Sequence, residues 1–121
     1  MSKRLIVFIA AVMCSLLAFS QSNSYYMDKA KSYMREAEYY TKKAEGYDRE
    51  ADYYNKKAQG YMREADYWSR KRNYDKVKTY NKWANEAISK ARQQKKWANE
   101  AREKAQLRMR WAKDAMEKAK R

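Results

Sequence analysis

Proline and histidine are missing from this chain altogether, glycine occurs only as Gly46 and Gly60, and cysteine only as Cys14. Each shortage closes off a class of protein. Domains with many tight turns draw heavily on Gly and Pro, so a loop-rich globular fold is excluded. Without His, the commonest general base and a usual metal ligand are gone, and the serines have no imidazole to activate them. No Gly-rich phosphate loop is present. The carboxylates are dispersed, each beside a basic neighbour. The sequence therefore offers no catalytic residue, no metal site, no cofactor site and no small-molecule substrate.

What is abundant is Ala, Lys, Glu, Arg, Met and Gln, all good helix formers. That composition points to long helices, with coiled coil as the default class. High charge also suits disorder, but twelve Tyr and four Trp are too many for a solvated tail. They are also periodic.

The N-terminus reads as a targeting segment. Lys3 and Arg4 precede an apolar run from Leu5 to Phe19, which closes on Ala18-Phe19-Ser20. The run is short for a membrane span of about 20 residues and suits a secretory signal. A signal peptide over 1–20 is expected, with cleavage near Ser20 and export to the periplasm or the exterior. Cys14 lies inside that segment. Met13 before it does not fit a lipidation box, and the product starting at Gln21 would carry no cysteine.

Beyond the signal the chain repeats every fourteen residues. The stretches YMREAEYYTKKAEG, YDREADYYNKKAQG and YMREADYWSRKRNY start at Tyr33, Tyr47 and Tyr61. WANEAISKARQQKK, WANEAREKAQLRMR and WAKDAMEKAKR start at Trp83, Trp97 and Trp111. Fourteen is two heptads. Over 21–68 the pattern is a seam alternating small and aromatic: Ala30, Ala37, Ala44, Ala51, Ala58 and Ala65 against Tyr26, Tyr33, Tyr40, Tyr47, Tyr54, Tyr61 and Trp68. Over 77–121 the stripe is Val77, Ala84, Ala91, Ala98, Ala105, Ala112 and Ala119. Ala87, Ala101 and Ala115 add to it, and Trp83, Trp97 and Trp111 flank it. Gln94 and Arg108 sit where that second stripe should be apolar. Six acid-then-base pairs at i,i+4, from Glu38–Lys42 to Asp114–Lys118, form a solvated face.

A phase slip or turn over 69–76 separates the two halves. Ser69, Asn73 and Asp75 can end or start helices there. The fold expected is all-α: long amphipathic helices in a coiled coil, folded back as an antiparallel helical hairpin with arms of ~65 Å. The alternative is one continuous long helix in an oligomer. Charge favours the hairpin. Residues 21–68 carry nine basic and nine acidic side chains, whereas 69–121 carry eighteen basic and six acidic. Antiparallel packing sets the basic arm against the neutral one.

The function expected is that of an exported, non-enzymatic structural or interaction protein of the bacterial envelope or exterior. Self-association or a helical partner would suit it. An alternative is non-specific binding of an anionic polymer such as nucleic acid, lipopolysaccharide or acidic glycan. The candidate residues are Arg70, Lys71, Arg72, Lys76, Lys78, Lys82, Lys95, Lys96, Arg108, Arg110 and Lys113. A second alternative is membrane action by a basic amphipathic helix, although the stripe is mostly small Ala.

Overall fold

The computed structural model describes residues 24–120; the expected signal segment and Cys14 lie outside them. Two α-helices fill this range: α1, Ser24–Arg70, and α2, Tyr74–Lys120, each of 47 residues. They pack against each other as an antiparallel hairpin, so the helix does not run on through the phase slip.

The turn is Lys71-Arg72-Asn73, and it forms without Gly or Pro. The Arg72 amide donates to Ser69 O at 3.0 Å and the Asn73 amide donates to Trp68 O at 3.0 Å. Those two bonds are a Schellman motif, which satisfies the last carbonyls of α1. The motif needs one left-handed residue, and Arg72 supplies it at φ 58°. Asn73 then caps α2: its Oδ1 accepts from the Lys76 amide at 3.2 Å, and its carbonyl accepts from Val77 N. The left-handed residue that closes one helix and the cap that opens the next, Arg72 and Asn73, are adjacent.

The turn also sets the register. Tyr61 meets Trp83, Tyr47 meets Trp97 and Tyr33 meets Trp111. In each pair the two residues stand equally far before and after Arg72. Because both arms repeat at the same period, every repeat finds its counterpart.

The chain divides into two compact units, one of 24–45 with 99–120 and one of Gly46–Ala98 that contains the turn. In the first, Ala30, Ala37 and Ala44 of α1 are buried, as are Ala101, Ala105, Ala112, Ala115 and Ala119 of α2. Met27, Met34 and Met109 form one cluster with Ala30, Ala37, Ala112, Ala115 and Ala119. Thr41 is also buried, and its hydroxyl donates to Ala37 O at 2.8 Å. In the second unit the buried side chains are Ala51, Ala58, Ala65, Ala84, Ala87, Ala91 and Ala98.

The seam is wider than alternation of Ala with Tyr implies. Alanine forms its middle column. Tyrosine lies on one side, half-buried at Tyr26, Tyr33, Tyr40, Tyr47, Tyr54 and Tyr61. In the unit of 24–45 with 99–120 a third column is buried on the other side, Met27, Met34 and Thr41, one residue beyond Tyr26, Tyr33 and Tyr40. Three columns make the broad stripe of helices packed in a globular core. Alanine lets the backbones approach, but each methyl hides little area. At roughly 25 cal/mol per Å², the flanking rings and thioethers must supply most of the burial.

Gly46 and Gly60 are ordinary helical residues. A Cβ would meet only Arg49 Nη2 at 3.9 Å in the first case and Arg63 Nη2 at 4.0 Å in the second. No backbone approaches either glycine, so close packing does not require them.

Candidate functional site

The tyrosine edge of the seam carries a regular series of ring contacts in each unit. In the unit containing the turn, Lys76 Nζ stands 3.7 Å from the Trp68 ring centroid. Tyr61 packs on Trp83 at 5.7 Å, Lys90 Nζ stands 5.5 Å over Tyr54, and Tyr47 packs on Trp97 at 5.7 Å. In the other unit Lys104 stands over Tyr40 at 5.6 Å, Tyr33 packs on Trp111 at 5.5 Å, and Lys118 stands over Tyr26 at 5.8 Å. Aromatic–aromatic and ammonium–aromatic rungs therefore alternate every seven residues. A tilted or edge-to-face pair contributes about 0.5–1.5 kcal/mol beyond its area, and an exposed cation–π contact about 0.5–1 kcal/mol.

A second tyrosine column stands outside the first. Tyr25 and Tyr39 in one unit, and Tyr53 and Tyr67 in the other, are about half exposed. Each leans edge-to-face on its inner neighbour: Tyr26, Tyr40, Tyr54 and Trp68 respectively. Each also lies under a lysine one turn on, Lys29, Lys43, Lys57 or Lys71, at 5.2–5.8 Å. Side-chain hydrogen bonding to Tyr25, and then the nearness of its oxygen, holds Lys29 above the ordinary lysine range. Tyr53 does the same for Lys57. The edge is thus both aromatic and firmly cationic.

Several lysines do not take the i,i+4 partner that the sequence suggests. Glu38–Lys42 does close, at 3.2 Å. Lys90, Lys104 and Lys118, by contrast, point their ammonium groups at tyrosines of α1. Such cross-arm contacts depend on the register and cannot be read along one helix.

The candidate anion-binding residues fall into different surroundings. Arg70, Lys71, Arg72, Lys78, Lys82 and Lys96 are exposed in the unit with the turn, and Arg110 and Lys113 in the other. Others reach from α2 to groups of α1. Lys95 Nζ donates to Asp48 Oδ1 at 3.1 Å. Lys76 caps the Trp68 ring. Arg108 lies between Tyr40 and Trp111 at 5.5 and 4.4 Å, with Nε 2.9 Å from Glu36 Oε2. That Nε–H is not aligned for a hydrogen bond, so the contact is an ion pair. Arg108 thereby fills an apolar seam position with a stacked guanidinium.

The seam residues themselves offer no outward chemistry. Ala37, Ala44, Ala51, Ala58, Ala65, Ala84, Ala91, Ala98, Ala105 and Ala112 are buried, while Tyr40, Tyr47, Tyr54, Tyr61 and Trp68 are half-buried at its edge. Residues that sequence reasoning passed over lie outside it. The outer tyrosines repeat visibly, but only the register shows what flanks them. In the unit with the turn, Tyr54, Lys57, Tyr61, Trp83, Glu86 and Lys90 line an open notch of 280 Å³. A shallower groove follows one face of α2, past Tyr74, Val77, Asn81 and Ser89.

Among the described residues no group of three or more acidic side chains is placed to hold a metal ion. No helix among them is long and apolar enough to cross a membrane. No family model, curated protein or solved structure matches the chain.

Proposed function

We propose that this chain is an exported, non-enzymatic interaction protein of the bacterial envelope or exterior. It acts by presenting a folded helical surface rather than by chemistry. One observation carries the reading. The apolar seam is closed within the chain, and what each unit leaves outside is repeated tyrosine, tryptophan and lysine. A repeated, open surface suits binding to an extended or repeating partner. It suits enclosing one small substrate poorly, because such sites are concave and mostly buried.

Export is tested by recovering the product from a bacterial host and sequencing its N-terminus. A product beginning near Gln21 outside the cytoplasm is expected. A chain retained in the cytoplasm and still beginning at Met1 would remove the export half of the proposal.

A second reading, binding of an anionic polymer, is favoured by the charge of α2. Arg70, Lys71, Arg72, Lys78 and Lys82 are exposed around its start. Polyanion binding of this kind weakens steeply with salt as counterions are released. Retention on immobilised heparin that persists at physiological salt and is lost as salt rises supports it. Elution at low salt counts against it. Lys78 and Lys82 suit charge reversal better than Lys95, whose loss would also break the Asp48 bridge.

A further inference from the structure

The notch at Tyr54, Tyr61 and Trp83 has a composition that goes beyond diffuse positive charge. Its rings offer apolar faces and polar edges. Lys57 and Lys90 bring two ammonium groups to its rim, and Glu86 brings a carboxylate. Trp83 is 42% exposed, although it packs on both Tyr61 and Tyr80. Its indole therefore offers a surface that the hairpin does not use.

The same six positions recur in the other unit as Tyr26, Lys29, Tyr33, Trp111, Asp114 and Lys118. The geometry agrees. Tyr33–Trp111 and Tyr61–Trp83 lie at 5.5 and 5.7 Å with interplanar angles of 64° and 60°. Lys118 stands over Tyr26 much as Lys90 stands over Tyr54, at 5.8 and 5.5 Å. Trp111 is 38% exposed, with Arg108 over its ring at 4.4 Å where Trp83 has Tyr80 at 5.3 Å. Core packing accounts for the buried alanines at these levels, but it requires neither the half-exposed indole nor the acid among the lysines.

We infer that each unit carries an equivalent binding site for an acidic glycan, in which the exposed indole and tyrosine rings stack on sugar faces, the two lysines bind its carboxylates or sulfates, and Glu86 or Asp114 accepts hydrogen bonds from its hydroxyls. The inference deepens the anionic-polymer reading and rests on it. Charge complementarity selects an anionic occupant. The acidic side chain then favours a glycan over nucleic acid: every sugar of a glycan carries hydroxyls that can donate to a carboxylate, whereas a DNA backbone carries none and only base edges can donate. The notch lies at the lower end of ligand-sized clefts, about 300–1,000 Å³, and it is open. That suits a polymer lying across it more than an enclosed monosaccharide.

The test uses the full chain and follows tryptophan emission, since an indole lies in each site. The probes are polygalacturonate, neutral dextran and a single-stranded oligodeoxynucleotide of matched charge. Polygalacturonate should change the emission saturably and bind more tightly than the oligonucleotide, and dextran should have no effect. Lys57→Gln with Lys90→Gln should weaken polygalacturonate binding about tenfold, which corresponds to about 1.4 kcal/mol. Adding Lys29→Gln with Lys118→Gln should weaken it further. Lys42→Gln with Lys56→Gln, exposed and outside both the notch and the candidate polyanion surface, should change it less than about twofold. Circular dichroism checks that each variant keeps its helicity, and Trp83→Phe, which keeps a ring, provides a second variant should the lysine changes unfold the hairpin. Equal loss from the notch and control pairs, or tighter binding of the oligonucleotide, overturns the glycan site and leaves the anionic-polymer reading intact. No binding of either polyanion at low salt removes both.

Discussion

Ala58 is 2% exposed, in the middle column of the seam. Ala58→Leu would force a branched side chain between the helices and should cost about 1–3 kcal/mol; a variant melting at or above the parent would show that the seam is loose. The glycines predict the reverse. Gly46→Ala and Gly60→Ala each gain helix propensity, about 1 kcal/mol, with room for the new methyl. Urea unfolding of the double variant should shift to higher midpoint with an unchanged slope. The lysine–tyrosine pairs add a pH signature. Lys29 and Lys57 have raised pKa values in the folded state. Their contribution is therefore complete below the ordinary lysine pKa and is lost as pH climbs through the raised value. Thermal scans of the parent and of Tyr25→Phe with Tyr53→Phe should differ at neutral pH and converge in strong alkali. A gap that widens with pH would contradict the assignment.

At the level of the elements, the turn is the place where local chemistry decides the fold. Asn73→Ala removes the acceptor for the Lys76 amide and should cost about 1 kcal/mol. Arg72→Gly relieves a left-handed conformation that strains a residue with a Cβ by roughly 1–2 kcal/mol. It should raise the thermal midpoint; a clear fall would mean that the Arg72 side chain holds the turn. The helices themselves were legible, because Ala and Tyr alternate at heptad spacing over many turns and the two arms repeat alike. So was the hairpin, from the phase slip and the unequal charge of the arms. The methionine column was not. Met34 and Met62 occupy the same repeat position, yet Met34 is buried with Met109 while Met62 is 44% exposed. The position alone could not distinguish them, because burial depends on what the other arm supplies. The notch was hidden for the same reason. Tyr54 and Trp83 belong to different repeats, and only the pairing about Arg72 brings their surroundings together.

Considered as one molecule, the hairpin satisfies its apolar stripe internally, and it sets a strongly basic arm against a neutral one. Folding then needs no second copy, so the melting midpoint should not change with protein concentration. A midpoint that climbs across a hundredfold range would place part of the seam between chains. The Lys71–Asn73 connection has one more effect. A periodic zipper is ambiguous: slide one strand by fourteen residues and every tooth that still overlaps meets an equivalent mate. The covalent link at Arg72 removes that freedom and leaves a single alignment. Nick the backbone there, and the freed segments can anneal out of step, each leaving a sticky overhang for the next. One peptide bond thus separates a finite particle from an open-ended fibre.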